Sequence, residues 1–345
     1  MMYPLIAEIN SSFRMLPDQA SSISARYTNL FLFMCLVSGF ITLAIATCIV
    51  YFCVKYRRRS PDQVGGRLPR GTWVEITWIV IPTIIAMGMY IWGAELFMVM
   101  NDPPPNALEI HVIAKQWMWK VQHLSGRREI DALHVPLGRP VKLVMTSHDV
   151  IHSFFIPDFR VKQDVLPGRY STEWFTATKV GQYHLFCAEY CGSGHSHMGG
   201  VVTVMTPGDY AKWLADVPTG QLSSAQAGHM LFNTLGCVQC HGQTAPTMAG
   251  LYGQNVLLSD GRIVVADKDY LRESIVNPRA KVVNGYQPLM PTFDKQLSEE
   301  QIFDLISYIQ SLRTEHTPEG NATRPAAAHK QSPPAQKRAG TEVQP

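Results

Sequence analysis

Charge is missing from one long stretch of this 345-residue sequence. There is none between Leu30 and Val54, and a second apolar run from Trp73 to Met100 holds only Glu75 near its start and Glu95 near its end. Both runs are long enough to cross a bilayer as helices. Neither contains a histidine, so a metal centre ligated by imidazoles within the membrane must belong to another chain. No A-x-A-like site closes the first run and a mixed segment precedes it, which favours a retained helical hairpin over a removed signal peptide. The formal net charge is only +3, so nothing points to nucleic acid. There is no internal repeat.

What is present is unevenly distributed. The link between the apolar runs, "KYRRRSPDQVGGRLPRG", carries Lys55, Arg57, Arg58, Arg59, Arg67 and Arg70, while the outer flanks have few basic residues. The positive-inside rule makes this link cytoplasmic. Residues 1–27 and everything after Asn101 then lie outside, in a bacterium on the periplasmic or external face. The expectation is helices at residues 28–54 and 73–100 joined by a loop at 55–72.

After the Pro-rich hinge "NDPPPN" come short β-branched or aromatic segments separated by Gly and Pro: "LEIHVIAKQWMWKVQHL", "PVKLVMTSH", "STEWFTA", "GQYHLFCAEY" and "GGVVTVM". They predict a β-sandwich or small barrel over residues 106–206. From Leu222 the texture is helical. Ser224 is the expected N-cap of "SSAQAGHMLFNTL", and Ser298 precedes Ile302, Leu305, Ile306 and Ile309 at helical spacing. This unit spans residues 222–313. The Pro-, Ala-, Gln- and Lys-rich remainder, 314–345, reads as a disordered tail.

The seven cysteines fall into three groups. Cys35, Cys48 and Cys53 read as small residues of the first membrane helix. The pairs Cys187/Cys191 and Cys237/Cys240 lie in the external part, where either could form a disulfide. "CVQCH", Cys237 to His241, matches the attachment signature of c-type haem: two thiols bond the vinyl groups, and the adjacent histidine ligates iron. A redox Cys-x-x-Cys would want a βαβ setting, and a zinc site would want a second ligand pair. Met290 in "NGYQPLMPTF" is the leading sixth ligand and Met248 the other candidate; packing in the core is the plain alternative for both. His/Met ligation raises the potential and favours electron transfer over oxygen binding.

"CAEYCGSGHSHM", starting at Cys187, falls on the loop between the last two strands. Cys187, Cys191 and His195 with one remote histidine would make a tetrahedral zinc site. Met198 adds a thioether, the loop joins two strands as in blue-copper proteins, and a redox haem shares the chain, all of which favour copper. A mononuclear blue-copper site leaves one cysteine surplus. Two coppers bridged by both thiolates, each with one histidine, would use every ligand, and His152 in "SHDVIHSFFIPDF" is the best second histidine because a dry aromatic run follows it.

The pattern Cys187-x3-Cys191-x3-His195-x2-Met198, with "DVIHSFFIP", "DVLPGR", "QWMW" at Gln116 to Trp119 and the helical hairpin, closely resembles subunit II of haem-copper cytochrome c oxidase. The added "CVQCH" unit resembles the fused cytochrome c of one subclass. The resemblance implies a two-helix transmembrane hairpin, an external cupredoxin-like β-barrel and an all-α class I cytochrome c domain. It further implies that Cys187 and Cys191 bridge the coppers of a CuA centre, with His152 and His195 binding one each. Met198 would be axial and Glu189 would add its backbone carbonyl, its carboxylate helping to hold magnesium against subunit I. Trp117 would match an aromatic at which soluble cytochrome c delivers electrons, and Glu75 a carboxylate at a proton-channel mouth. Two positions depart from the pattern: Met118 stands where an aromatic is usual, and His197 is an extra histidine. By pattern alone Trp117 and Trp119 read as one face of a strand, and Glu75 as a headgroup-boundary residue.

The function implied is delivery of electrons from a donor through haem c and CuA to catalytic subunit I, which reduces oxygen to water. The donor would be a soluble or membrane-bound cytochrome c or an upstream complex, and other oxidase subunits and the lipid bilayer complete the partners. The alternatives are the CuA subunit of a nitric oxide reductase, a tethered electron carrier with no dedicated oxidase, and a zinc-stabilised structural subunit.

Overall fold

The computed structural model describes residues 16–66, 71–216 and 221–313. The tail expected to be disordered (314–345), the first fifteen residues of the expected external N-terminal segment, and Arg67 and Arg70 of the basic link lie outside the described residues.

Helices α1 (Ser24–Lys55) and α2 (Thr72–Asn101) are apolar on every side; their most apolar stretches have mean hydropathies of 2.4 and 1.8, and no residue in those stretches is buried. A helix with no polar face finds its favourable solvent in lipid. The outer ends of both helices are tied to the domain that follows. Ser21 Oγ donates to Phe159 O at 2.7 Å, Ser22 N to Thr176 O at 3.0 Å, and Trp174 Nε1 to Val99 O at 3.0 Å.

Ten strands follow: β1 (Leu108–Lys115), β2 (Met118–His123), β3 (Arg128–Ile130), β4 (Ala132–Pro136), β5 (Pro140–Ser147), β6 (His152–Ile156), β7 (Val161–Val165), β8 (Ser171–Thr176), β9 (Gly181–Cys187) and β10 (Gly199–Met205). They form two five-stranded sheets, β3-β2-β1-β5-β8 and β4-β10-β9-β6-β7. Alternate residues of each strand meet between the sheets: Ile110, Val112 and Trp119 from the first face Phe154, Leu185 and Val202 from the second, all at most 1% exposed. Trp119 meets Phe154 edge-on, with ring centres 5.1 Å apart. Strand β1 does not show the polar outer face that alternation predicts, because His111 and Ile113 on that side are also buried.

The C-terminal part comprises α3 (Pro207–Ala215), α4 (Ser224–Thr234), a small hairpin of β11 (Asn255–Leu257) and β12 (Ile263–Val265), α5 (Lys268–Val276) and α6 (Glu299–Ser311). The cap of α4 is Ser223, not Ser224. Its Oγ accepts from Gln226 N, and the Gln226 side chain returns a contact to the Ser223 backbone, a reciprocal arrangement open only to the residue three before the glutamine. Ser298 caps α6 in the same way with Gln301, and Ile302, Leu305, Ile306 and Ile309 are buried as their spacing predicts. Helices α4 and α6 cross closely at Gly228, where a Cβ would lie 1.9 Å from the Asp304 carbonyl oxygen.

Candidate metal centre

Residues 188–198 join β9 to β10, and the sheet closes this loop at its base, where Cys187 N donates to Met198 O at 3.1 Å. A short turn at His195–His197 brings the chain back, with His195 N on Gly192 O and Met198 N on His195 O. Cys187, Cys191 and Met198 consequently point inward and are buried, His195 is half-buried, and Glu189 and His197 stay exposed. His152 arrives from β6, held beside β9 by the pairing of Phe154 with Cys187, and is fully buried.

The donors converge. Cys187 Sγ and Cys191 Sγ are 3.8 Å apart, and Cys191 Sγ is 3.5 Å from His195 Nδ1 and 3.7 Å from Met198 Sδ. His152 Nδ1 stands 3.1 Å from Met198 Sδ and 4.0 Å from Cys187 Sγ, and the Glu189 carbonyl oxygen is 3.3 Å from Cys187 Sγ. The two sulfurs are far beyond the roughly 2.05 Å of a disulfide, and all seven cysteines are free. The ligand atoms of His152, Cys187 and Cys191 all lie within 4.8 Å of one another.

The two thiols differ in acidity. Burial pushes Cys187 up, but hydrogen bonds from His152 and from the Ser153 and Glu189 backbone outweigh it and bring the thiol down to about 6. Burial and the neighbouring Cys187 push Cys191 up to about 12. The two thiols oppose each other's ionisation, so losing one proton makes losing the second harder. Two thiols, two imidazoles, a thioether and a carbonyl form a soft and borderline donor set, which suits copper and leaves the thioether unexplained for zinc.

Asp149 and Gln116, to which the sequence motifs gave no role of their own, hold these side chains in place together with Trp117. Asp149 Oδ1 is 2.8 Å from His152 Nε2 and its Oδ2 accepts from Gln116 N at 2.8 Å. The Gln116 side chain donates to Cys191 O at 2.8 Å, and Trp117 Nε1 reaches the same oxygen at 3.3 Å. Trp117 lies in the turn between β1 and β2, so it does not share a strand face with Trp119, as the alternation suggested; it is 39% exposed while Trp119 is fully buried. Its indole covers Gly194, where a Cβ would fall 2.4 Å from the ring. The glycines of "CGSGH" therefore have a steric purpose.

A second centre can be built in the C-terminal domain. A cavity of about 810 Å³, within the size range of cofactor sites, is lined by Cys237, Cys240, His241, Met248 and Met290 among apolar residues that include Phe232 and Leu305. The turn Cys237–Gln239 brings both thiols to this cavity. His241 Nδ1 lies 2.8 Å from Pro246 O. A carbonyl can only accept, so Nδ1 carries the proton and Nε2 is left with its lone pair for a metal. This apolar chamber with paired thiols and an oriented imidazole fits a covalently held haem. Both methionines line it, so the cavity does not choose between them. Glu75 stands apart from both centres, exposed in the first turn of α2.

Comparisons with known proteins divide the chain in the same way. Residues 9–95 match the family described as cytochrome c oxidase subunit II, transmembrane domain, residues 120–205 its periplasmic domain, and residues 225–313 cytochrome c. The chain is 29% identical over 249 residues to cytochrome c oxidase subunit 2 of Synechocystis sp., covering 58% of this chain and 75% of that one. It is 27% identical over 305 residues to cytochrome c oxidase subunit 2 of Alkalihalophilus pseudofirmus, covering 83% and 87%. Among solved structures it is similar to the periplasmic domain of subunit II of cytochrome oxidase from Bradyrhizobium japonicum, at 28% identity and a TM-score of 0.32, covering 33% of this chain and 95% of that one.

Proposed function

The chain belongs to the cytochrome c oxidase subunit II family and carries a cytochrome c domain, and from that premise we propose that electrons enter at the cytochrome domain, cross to the copper domain and leave for a catalytic subunit that reduces oxygen to water. Both external domains stand on the periplasmic side of a bacterial inner membrane, the donor being a cytochrome c or an upstream complex. The convergence of both thiols, His152, His195 and Met198 at the tip of the β-sandwich carries this reading.

Cys187, Cys191, His152 and His195, with Met198 and the Glu189 carbonyl, would hold a pair of coppers. Cys237 and Cys240 would attach haem, and His241 and Met290 would hold its iron. When bound, these groups supply reversible one-electron chemistry. The protein's part is to hold their ligands still: Asp149 orients His152, Gln116 and Trp117 fix the Cys191 carbonyl, and the packed loop excludes water, so that little has to rearrange as an electron passes. The exposed Glu189 carboxylate would face subunit I and help hold magnesium there. Trp117 is the candidate entry point for electrons at the copper domain, and Glu75 the candidate proton-channel mouth.

Metal and haem analysis of the purified complex, with its oxygen uptake, tests the reading. A pair of copper ions and a single covalent haem per chain, with oxygen consumed, are expected. Zinc in place of copper would overturn the site assignment, and nitric oxide consumed instead of oxygen would change the acceptor.

A further inference from the structure

The buried outer face of β1 has a partner within the chain. Phe303 of α6 is fully buried and stacks on His111, with ring centres 4.1 Å apart and planes 15° from parallel. It also stacks on Tyr170 at 4.8 Å. Ile113, Val144 and Tyr170 of the copper domain share one apolar cluster with Ile302, Phe303 and Ile306 of the cytochrome domain, so the two domains have a common core at this point.

Polar groups fix the register around it. Gln122 Nε2 donates to Ser224 Oγ at 2.9 Å and also reaches Asp304, and Lys120 Nζ pairs with Glu300 Oε1 at 2.8 Å. Tyr170 N donates to Asp269 Oδ1 at 2.9 Å, and an Arg272 N–H donates to Gly168 O at 2.8 Å. Glu109 pairs with Lys268 across the boundary, both largely buried. Breaking a buried ion pair strands a charge, which makes a shifted pose costly. The segments flanking residues 217–220 are anchored too. Arg127 donates to Trp213 O and Asp216 O on one side, and Ser224 N donates to Leu124 O on the other.

We infer that the outer face of the β1, β2 and β5 sheet is a built-in docking platform that holds the cytochrome domain in a single pose, so that electrons pass between the two domains across a static interface and not by the swing of a tethered carrier. The inference rests on the electron path proposed above. One electron leaves the reduced cytochrome domain and one arrives at the oxidised copper domain, with no bond or proton exchanged. Strand β1 serves both ends of this passage: its outer face carries the docking residues, and the chain continues directly into Gln116, which supports Cys191.

Two measurements on the wild-type complex test the pose. A zero-length carbodiimide should condense the Lys120 amine with the Glu300 carboxylate into an amide, the lost water leaving as the reagent's urea. Mass spectrometry should find this link as the dominant one between the domains. Flash-induced transfer from the cytochrome to the copper domain should be unchanged by the link and by added glycerol. Ile113→Glu, which puts a charge into the apolar cluster shared by the two domains, should abolish the link and slow transfer by about tenfold or more, while covalent haem and the copper resonance persist. Scattered links without Lys120–Glu300, or a wild-type rate that falls in proportion to viscosity, would overturn the single pose. If the link forms but no electron passes, the proposed electron path fails and the docking platform stands.

Discussion

Asp149 and His152 are joined side chain to side chain, Oδ1 to Nε2 at 2.8 Å, so that the opposite ring nitrogen of His152 faces Met198 and Cys187. Backbone N–H groups of Gln116 and Val150 also bond the Asp149 carboxylate and, against the opposing effect of burial, hold it below its ordinary range; it is an anion whenever the protein is near neutral pH. Asp149→Ala should therefore leave the sandwich folded but weaken copper retention by about 10- to 100-fold, as loss of a supporting partner does at other metal sites. Titration with a chelator, read by the copper resonance, checks this; unchanged retention would mean that packing alone orients His152.

The paired-thiol site makes an opposite prediction for two neighbours in one loop. Cys191→Ser removes one of two sulfurs 3.8 Å apart, whereas His197 is exposed on the turn. A mixed-valence signal spread over two copper nuclei should appear in the wild type and in His197→Ala and vanish in Cys191→Ser. Its survival without Cys191 would rule out a bridging role.

Met290 and Met248 line the same cavity, so substitution must separate them. Met290→Ala should keep covalent haem, since Cys237 and Cys240 are intact, but open a coordination position, lower the potential and let the reduced protein bind carbon monoxide. Met248→Ala should do none of these. The reverse pattern would make Met248 the ligand.

Glu173 on β8, which belongs to neither centre, gives a pH signature. It points with Phe175 into the sandwich, its Oε2 has no hydrogen-bond partner among the described residues, and burial pushes its carboxyl from 4.5 up to about 8. The folded chain thus keeps a proton that the unfolded chain releases at lower pH. Stability from this group is complete below about 4.5, falls as pH rises through that window, and levels off above about 8, a loss on the order of a few kcal/mol. Glu173→Gln should remove the slope and raise the melting temperature relative to wild type most at pH 9 and least at pH 4. Parallel melting curves for the two proteins across this range would contradict the buried, protonated carboxyl.

What could be read from the sequence was what lies close along it. Cys187, Cys191, His195 and Met198 occupy one loop, so their spacing already implied a shared site, and the heptad-like spacing of Ile302, Leu305, Ile306 and Ile309 already implied a buried helix face. Asp149 and Gln116 were hidden because their roles depend on where β1 and β6 end relative to the β9–β10 loop, a matter of strand register. Trp117 misled because alternation cannot reveal a turn between two strands. Ser223 and Ser224 are adjacent and chemically equivalent, and only the reach of Gln226 distinguishes them. The buried outer face of β1 was invisible because Phe303 and Lys268, which cover it, come far later in the chain.

The order of electron passage, from the cytochrome domain to the copper domain and on to the catalytic subunit, is the centre of the proposed function. Flash reduction of the cytochrome domain in the intact complex, with the cytochrome absorbance and the near-infrared copper band followed together, tests it most directly. The cytochrome signal should decay and the copper band bleach at the same rate, both before any haem of the catalytic subunit is reduced. Reduction of those haems while the copper band stays constant, or bleaching of copper before the cytochrome is reduced, would contradict it.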